Sequence, residues 1–232
     1  MIVERLIPDA HRPGSTRIVV DGRPAWTVPA DVVAGLRLAE GGPIRGDALE
    51  RLDRAADEEA AFRAALRALE RRAHGERELA RKLERKGHTA PAIVAAITRL
   101  CGLDLLDDLA FARAYVTSRS ERGRGPGRLR RDLALLGVPR AIAEQALGEI
   151  EIDGDDPLAR PRGLVLRRAA QLAAYPAAVR RRRLLAFLAR RGYRGHAVLV
   201  LVEEALVAQP EPRTPRRPVT GGRPVRKGGD GL

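Results

Sequence analysis

The chain has 232 residues, of which 44% are apolar but only 3% aromatic, and its formal net charge at pH 7 is +13. A lone cysteine, Cys101, excludes an internal disulfide framework and a cysteine-based zinc site. No apolar run approaches a membrane span and residues 1–10 lack a signal-peptide core, so a cytoplasmic protein is expected.

In chain order, Ile2 to Ile7 is a short apolar run. Thr16 to Val20 is β-branched, Asp21-Gly22 is a turn signal, and Ala25 to Val28 follows, a pattern that predicts a β-hairpin. Pro29-Ala30-Asp31 opens a short helix reaching about Leu36, and Gly41, Gly42, Pro43 and Gly46 mark loops. From Asp47 the period becomes helical, with Phe62, Leu66, Leu69 and Ala73 on one face. Leu79, Leu83 and Gly87 then set a spacing that returns at Leu129, Leu133 and Gly137 and again at Leu184, Leu188 and Gly192. Ten residues beyond each glycine stands an apolar residue: Ile97, Leu147 or Val202.

The repeat has a direct physical meaning. Leucines four apart give a helix one buried face, and a glycine just beyond takes the left-handed position that ends it. A second helix then carries the later apolar residue, with Thr89 as a cap, Pro126 in a first turn and Pro139 at the next start. Leading helices are expected over residues 58–72, 108–119 and 164–174, each about three turns or fewer. The expected fold is mainly α: a small α/β N-terminal module with a β-hairpin (1–50), then three tandem three-helix units (51–103, 104–156 and 157–208) forming an elongated array. Residues 209–232, rich in proline, glycine and basic residues, are expected to be a disordered basic tail.

The positive charge is regional. Residues 1–156 hold as many acids as bases, whereas 157–202 contain eleven arginines and no acid. Uniform base-composition bias does not produce such an asymmetry, and an anionic partner does. Arg180 to Arg183 are four consecutive arginines, with Arg167, Arg168, Arg190 and Arg191 in the same region. A second basic cluster, Arg124, Arg128, Arg130 and Arg131, surrounds the glycine-rich stretch Gly123 to Gly127, which lacks the Gly-Lys-Ser/Thr ending of a nucleotide loop. These twelve arginines are the candidate DNA or protein contacts. Asp107 and Asp108 could be a carboxylate pair for metal or acid–base work, but an aspartate there also suits the N-terminus of the following helix. The four histidines show no ligand spacing, and His74 and His88 are expected to face solvent. Cys101 lies in an apolar helical pattern as a small buried hydrophobe.

Leu106-Asp107-Asp108-Leu109-Ala110-Phe111-Ala112, followed by Tyr115-Val116 and Ser118-Arg119, resembles the L-D-D-x-x-F-A…F-V…S-R signature of the RecX family. Gly123-Arg124-Gly125-Pro126-Gly127-Arg128-Leu129-Arg130-Arg131-Asp132-Leu133 is similar to its G-K-G-P-x-R-I-R-x-E-L segment, with Asp132 where the family has Glu. Arg71 to Leu79 resembles R-x-R-S-x-x-E-L, with Gly75 in place of the capping serine, and Phe187 to Tyr193 resembles F-L-x-R-R-G-F. The resemblance implies a non-enzymatic modulator that binds the RecA–DNA filament, restrains strand exchange, ATP hydrolysis and coprotease activity in the SOS response, and needs no cofactor or metal. DNA phosphates would be a nonspecific second partner, and a monomer is expected. The alternatives are a nonspecific nucleic-acid-binding protein without a recombinase partner, and a metal-dependent nuclease built on Asp107 and Asp108.

Overall fold

The computed structural model describes residues 1–152 and 158–208. The expectation of a disordered tail over 209–232 lies outside the described residues. Internal contacts separate the described residues into two compact units: 1–152 with Arg190–Tyr193, and Leu158–Ala189 with 194–208.

In the first unit, strands β1 (Arg5–Pro8), β2 (Ser15–Val20) and β3 (Arg23–Pro29) form one antiparallel sheet in the order β1-β2-β3. Asp21 and Gly22 both adopt positive φ, 51° and 70°, as a two-residue hairpin turn requires. The hairpin is therefore as expected, and the run ending at Ile7 adds a third strand, pairing Leu6 with Ile18. Helix α1 (Ala30–Gly35) follows β3. Val3, Ile18, Val28, Ile44 and Leu52 close the small core beneath the sheet.

Helix α2 (Ala48–Leu69) starts ten residues before the expected boundary and runs for 22 residues, not three turns. The cause is visible along its length. Leu52 packs into the sheet's core, with Ala55 and Ala56 against it, and from Ala61 the buried face belongs to the next core. Alanine supports the helix throughout, so nothing breaks it between the two cores.

Helices α3 (Glu76–Glu84) and α4 (Ala90–Gly102) complete the first triplet, and α5 (Asp108–Glu121), α6 (Pro126–Leu136) and α7 (Arg140–Ile152) form the second. The second unit holds α8 (Ala159–Gln171), α9 (Ala177–Arg191) and α10 (His196–Ala208), except that Arg190 and Arg191 of α9 cluster with the first unit. Helix α8 begins five residues earlier than expected because Pro161 is buried in its first turn rather than ending a loop before it. The repeated leucines are all buried, and Gly87, Gly137 and Gly192 all have φ near +90°. The fold is thus mainly helical, with ten helices among the described residues behind a small antiparallel sheet.

The start of α3 answers the loss of the capping serine. A Cβ at Gly75 would lie 2.9 Å from Asp108 Oδ1 and 3.5 Å from the Phe111 ring. Asp108, buried at the start of α5, instead accepts the Glu76 amide at 2.8 Å. The cap comes from the neighbouring triplet, and glycine leaves room for it. Asp108→Ala is expected to lower the unfolding free energy by about 1–2 kcal/mol, since it removes the acceptor from a half-buried helix-end amide. Asp108→Asn, which keeps an acceptor oxygen, should recover part of that loss. Urea denaturation of the three proteins checks this, and equal midpoints for wild type and Asp108→Ala would remove the cap's role.

Candidate nucleic-acid interface

A helix turns about 100° per residue, so four consecutive arginines cannot all face water when one side of the helix is buried. Arg180 is the inward one. It lies one turn before Leu184 and two before Leu188, on the same buried stripe, and is 1% exposed. It is therefore removed from the expected contact set. Arg181, Arg182 and Arg183 are exposed. Arg181 pairs with Glu203 on α10. Arg183 lies over the Tyr175 ring, 4.0 Å from its centroid, which fixes the direction of its guanidinium while leaving its hydrogen-bond donors available. Arg182 carries no ion pair among the described residues.

On α8, exposed Arg167 donates to the Gly163 carbonyl one turn back, at 3.2 Å, and carries no ion pair among the described residues. Arg168 is half-buried, bonded to Gln171 at 2.6 Å and directed over Phe187 of α9, 5.9 Å from the ring centroid. The second unit therefore presents Arg167, Arg182 and Arg183 outward with little acid to offset them. Arg190 and Arg191 cluster with the first unit, where Arg191 donates to the Arg122 and Gly123 carbonyls at 3.3 Å.

The other basic cluster is turned to internal work. Arg124 reaches Asp132 at 2.6 Å and the Tyr115 hydroxyl at 3.3 Å, and Arg128 also approaches Asp132, at 3.7 Å. Arg130 grips Glu144 with two bonds of 2.6 and 2.8 Å. The family's Glu is thus replaced here by a shorter Asp132 that still serves two arginines. Of this cluster only Arg131 is exposed without an ion pair among the described residues. In the loop at Gly123 to Gly127, the Gly125 and Gly127 amides donate to the Arg191 and Gly192 carbonyls, at 2.7 and 3.1 Å.

The two aspartates have structural partners. Asp107 accepts the Leu109 and Ala110 amides at 2.7 and 3.1 Å, capping α5, while Asp108 caps α3. No group of three or more His, Cys, Asp or Glu residues that could hold a metal ion occurs among the described residues.

Two histidine settings differ from expectation. His74 is 2% exposed, with Nδ1 2.9 Å from Glu78 and Nε2 3.4 Å from Lys82. Burial, opposed by the Glu78 hydrogen bond, holds the ring below its ordinary pKa, so the neutral ring donates to Glu78 and accepts from Lys82. Burial alone would raise the Glu78 carboxyl, but hydrogen bonds from Arg72 and His74 outweigh it and hold it low. His88 bonds to Asp57 at 2.7 Å, and the same carboxylate accepts both the amide and the hydroxyl of Thr89, at 2.9 and 2.6 Å. Thr89 stands at the N-terminus of α4 as expected, but its hydroxyl is turned to Asp57 and makes no bond to the helix's amides. Cys101 packs against the first triplet's core, where burial and then the nearby Glu76 carboxylate push its thiol up, away from nucleophilic use.

Known proteins place this architecture. Residues 61–100 match the model described as RecX, first three-helix domain, and 107–147 match RecX, second three-helix domain. The "Regulatory protein RecX" of Halorhodospira halophila (strain DSM 244 / SL1) is 40% identical over 136 residues, which cover 58% of this chain and 81% of that protein. The chain belongs to the RecX family.

The RecX protein of Geobacillus kaustophilus (strain HTA426) is 36% identical over 143 residues, covering 60% of this chain and 53% of that longer protein. Two solved RecX structures share the fold. A crystal structure of regulatory protein RecX aligns with a TM-score of 0.71 over 88% of this chain and 98% of that one, at 21% identity. RecX from Lactobacillus salivarius aligns at 0.57 over 65% and 97%, also at 21%. The two matched domains coincide with the helices α2–α4 and α5–α7 that the leucine–glycine repeat marks out. No helix among the described residues is long and apolar enough to cross a membrane.

Proposed function

We propose that this chain is a regulator that binds the RecA–DNA filament and limits its growth and its strand-exchange, ATPase and coprotease activities, within the cytoplasm and as a monomer. Membership of a family whose relatives are named regulatory proteins is the observation that carries this reading. The segments 51–103, 104–156 and 157–208 serve as tandem contact units. Several weak contacts along neighbouring protomers sum to a strong one when they are linked in a single chain. The third segment holds DNA phosphates through the outward arginines of α8 and α9. Such contacts bring affinity without base preference and weaken with salt. With only seven Phe, Trp and Tyr in the chain, base stacking has little material. Inhibition is by occupancy, and the chain carries out no chemistry.

The test is the single-stranded-DNA-dependent ATPase of the cognate RecA titrated with this protein. Inhibition is expected well below one molecule per RecA protomer. The double variant Arg182→Ala/Arg183→Ala should need roughly tenfold more protein and should flatten the log affinity against log salt slope for DNA by about two. Inhibition only when the protein saturates the DNA would favour the second reading, a nonspecific nucleic-acid binder that merely masks the strand. DNA binding with no effect on the ATPase at any ratio would remove the RecA reading.

A further inference from the structure

The first unit contains a recess of about 640 Å³ that the basic-surface reading does not use. It lies where α3 meets the turn between α6 and α7. Arg81 on α3 donates to the Leu135 and Leu136 carbonyls at 3.0 and 2.8 Å, fastening α3 to the end of α6. At that end the chain reverses through Gly137, whose φ of 94° passes so close to α3 that a Cβ would sit 2.6 Å from Arg77 Cβ. The fastening holds α3 beside that turn, and the close approach of Gly137 to Arg77 forms one side of the recess. Its floor is apolar, from Ala134, Val138 and Ala143, and its rim carries Arg77, Arg130 and Arg140.

The rim's charge is uneven in a way that identifies an occupant. Glu144 is committed to Arg130 through two short hydrogen bonds. Arg77 and Arg140 are exposed and carry no ion pair among the described residues. The 13-residue helix α7 opens here without an acid in its first turn, so its positive end is not offset. Two available guanidinium groups therefore border an apolar floor of a volume typical of ligand pockets. A nucleic-acid phosphate would satisfy the rim and leave the floor wet. A carboxylate next to a large apolar side chain would satisfy both.

We propose that this recess is a docking site for an acidic peptide segment of a partner protein, seating one apolar side chain on Ala134 and Val138 while its flanking carboxylates pair with Arg77 and Arg140. The arginine fork favours paired carboxylate contacts at such a site. The inference goes beyond the recombinase reading and does not depend on it.

The probe is a short dye-labelled peptide of Asp and Glu with one central Leu, followed by fluorescence anisotropy with the full chain. Replacing the peptide's Leu with Ser should weaken binding at least about tenfold, as should Ala134→Trp, which fills the recess from an exposed position. Arg77→Ser/Arg140→Ser should weaken it comparably and provides the second test should the tryptophan variant misfold, which circular dichroism would reveal. Binding of a duplex DNA by Ala134→Trp should be unchanged. Equal binding of the Leu and Ser peptides, or peptide affinity unaffected in both protein variants, would overturn the proposal. DNA binding that falls in step with peptide binding in Ala134→Trp would make this a nucleic-acid contact instead. Because the probe contains no recombinase, failure here leaves the ATPase result standing, and the reverse also holds.

Discussion

Glu59→Ala is expected to destabilise the first unit by about 2–3 kcal/mol. The Glu59 side chain is 2% exposed and accepts from Arg63 Nε at 2.7 Å, Arg99 Nη1 at 3.3 Å and Ser15 Oγ at 3.4 Å. Arg99 in turn lies 3.9 Å over the Phe62 ring, so the ion pair and the cation–π contact orient the same guanidinium. The carboxylate thereby joins the start of β2, the middle of α2 and the end of α4. Breaking a fully buried pair costs about 3–5 kcal/mol, but the Arg63 and Arg99 side chains are 26% and 53% exposed and would partly rehydrate. Glu59→Gln keeps an acceptor without the charge and should fall between. Urea midpoints with unchanged slopes would measure it, and a loss below about 0.5 kcal/mol would mean that the network contributes no more than an ordinary surface pair.

Leu133→Ala should cost about 3 kcal/mol, from lost apolar burial plus the cavity left behind. Leu133 is 0% exposed, in a core with Leu129, Val116 and Leu147. Two residues on, Leu135 is 76% exposed and faces the opposite way, so Leu135→Ala should change stability by less than about 0.5 kcal/mol. The contrast between two leucines in one helix isolates burial from helix propensity. Comparable losses in both would mean that the leucine spacing does not define the buried face. Against a typical domain stability of about 5–15 kcal/mol, the first substitution alone would shift the unfolded population strongly.

Much of the architecture is legible because it rests on local rules. The leucines at 79 and 83, 129 and 133, and 184 and 188 are buried in each of three helices, and the glycine after each takes the left-handed conformation. Asp21-Gly22 makes the turn its residue types favour. Asp107 caps the helix it precedes. What was not legible depends on partners distant in sequence. Asp108 serves a helix that starts 32 residues earlier, and His88 is held by Asp57, 31 residues before it. The pairing of Arg130 with Glu144 crosses from one helix to the next, so a basic run in sequence became a neutralised one in space. Arg180 is a different case. Its four-residue spacing from Leu184 already placed it on the buried stripe, and reading the arginines as a charge run concealed that periodicity.

The continuity of α2 has a consequence for how the first unit comes apart. Its early turns complete the sheet's core at Leu52, and its later turns complete the triplet's core from Ala61 onward. Melting either end would withdraw a wall from the adjoining core, so the two cores are built to open together as one cooperative foldon. Amide protons of β2 and of the last turns of α2 would then exchange through the same global opening. A chain cut at residue 50 would lose the sheet yet leave Leu52 exposed on a helix whose first turns have nothing to lean on.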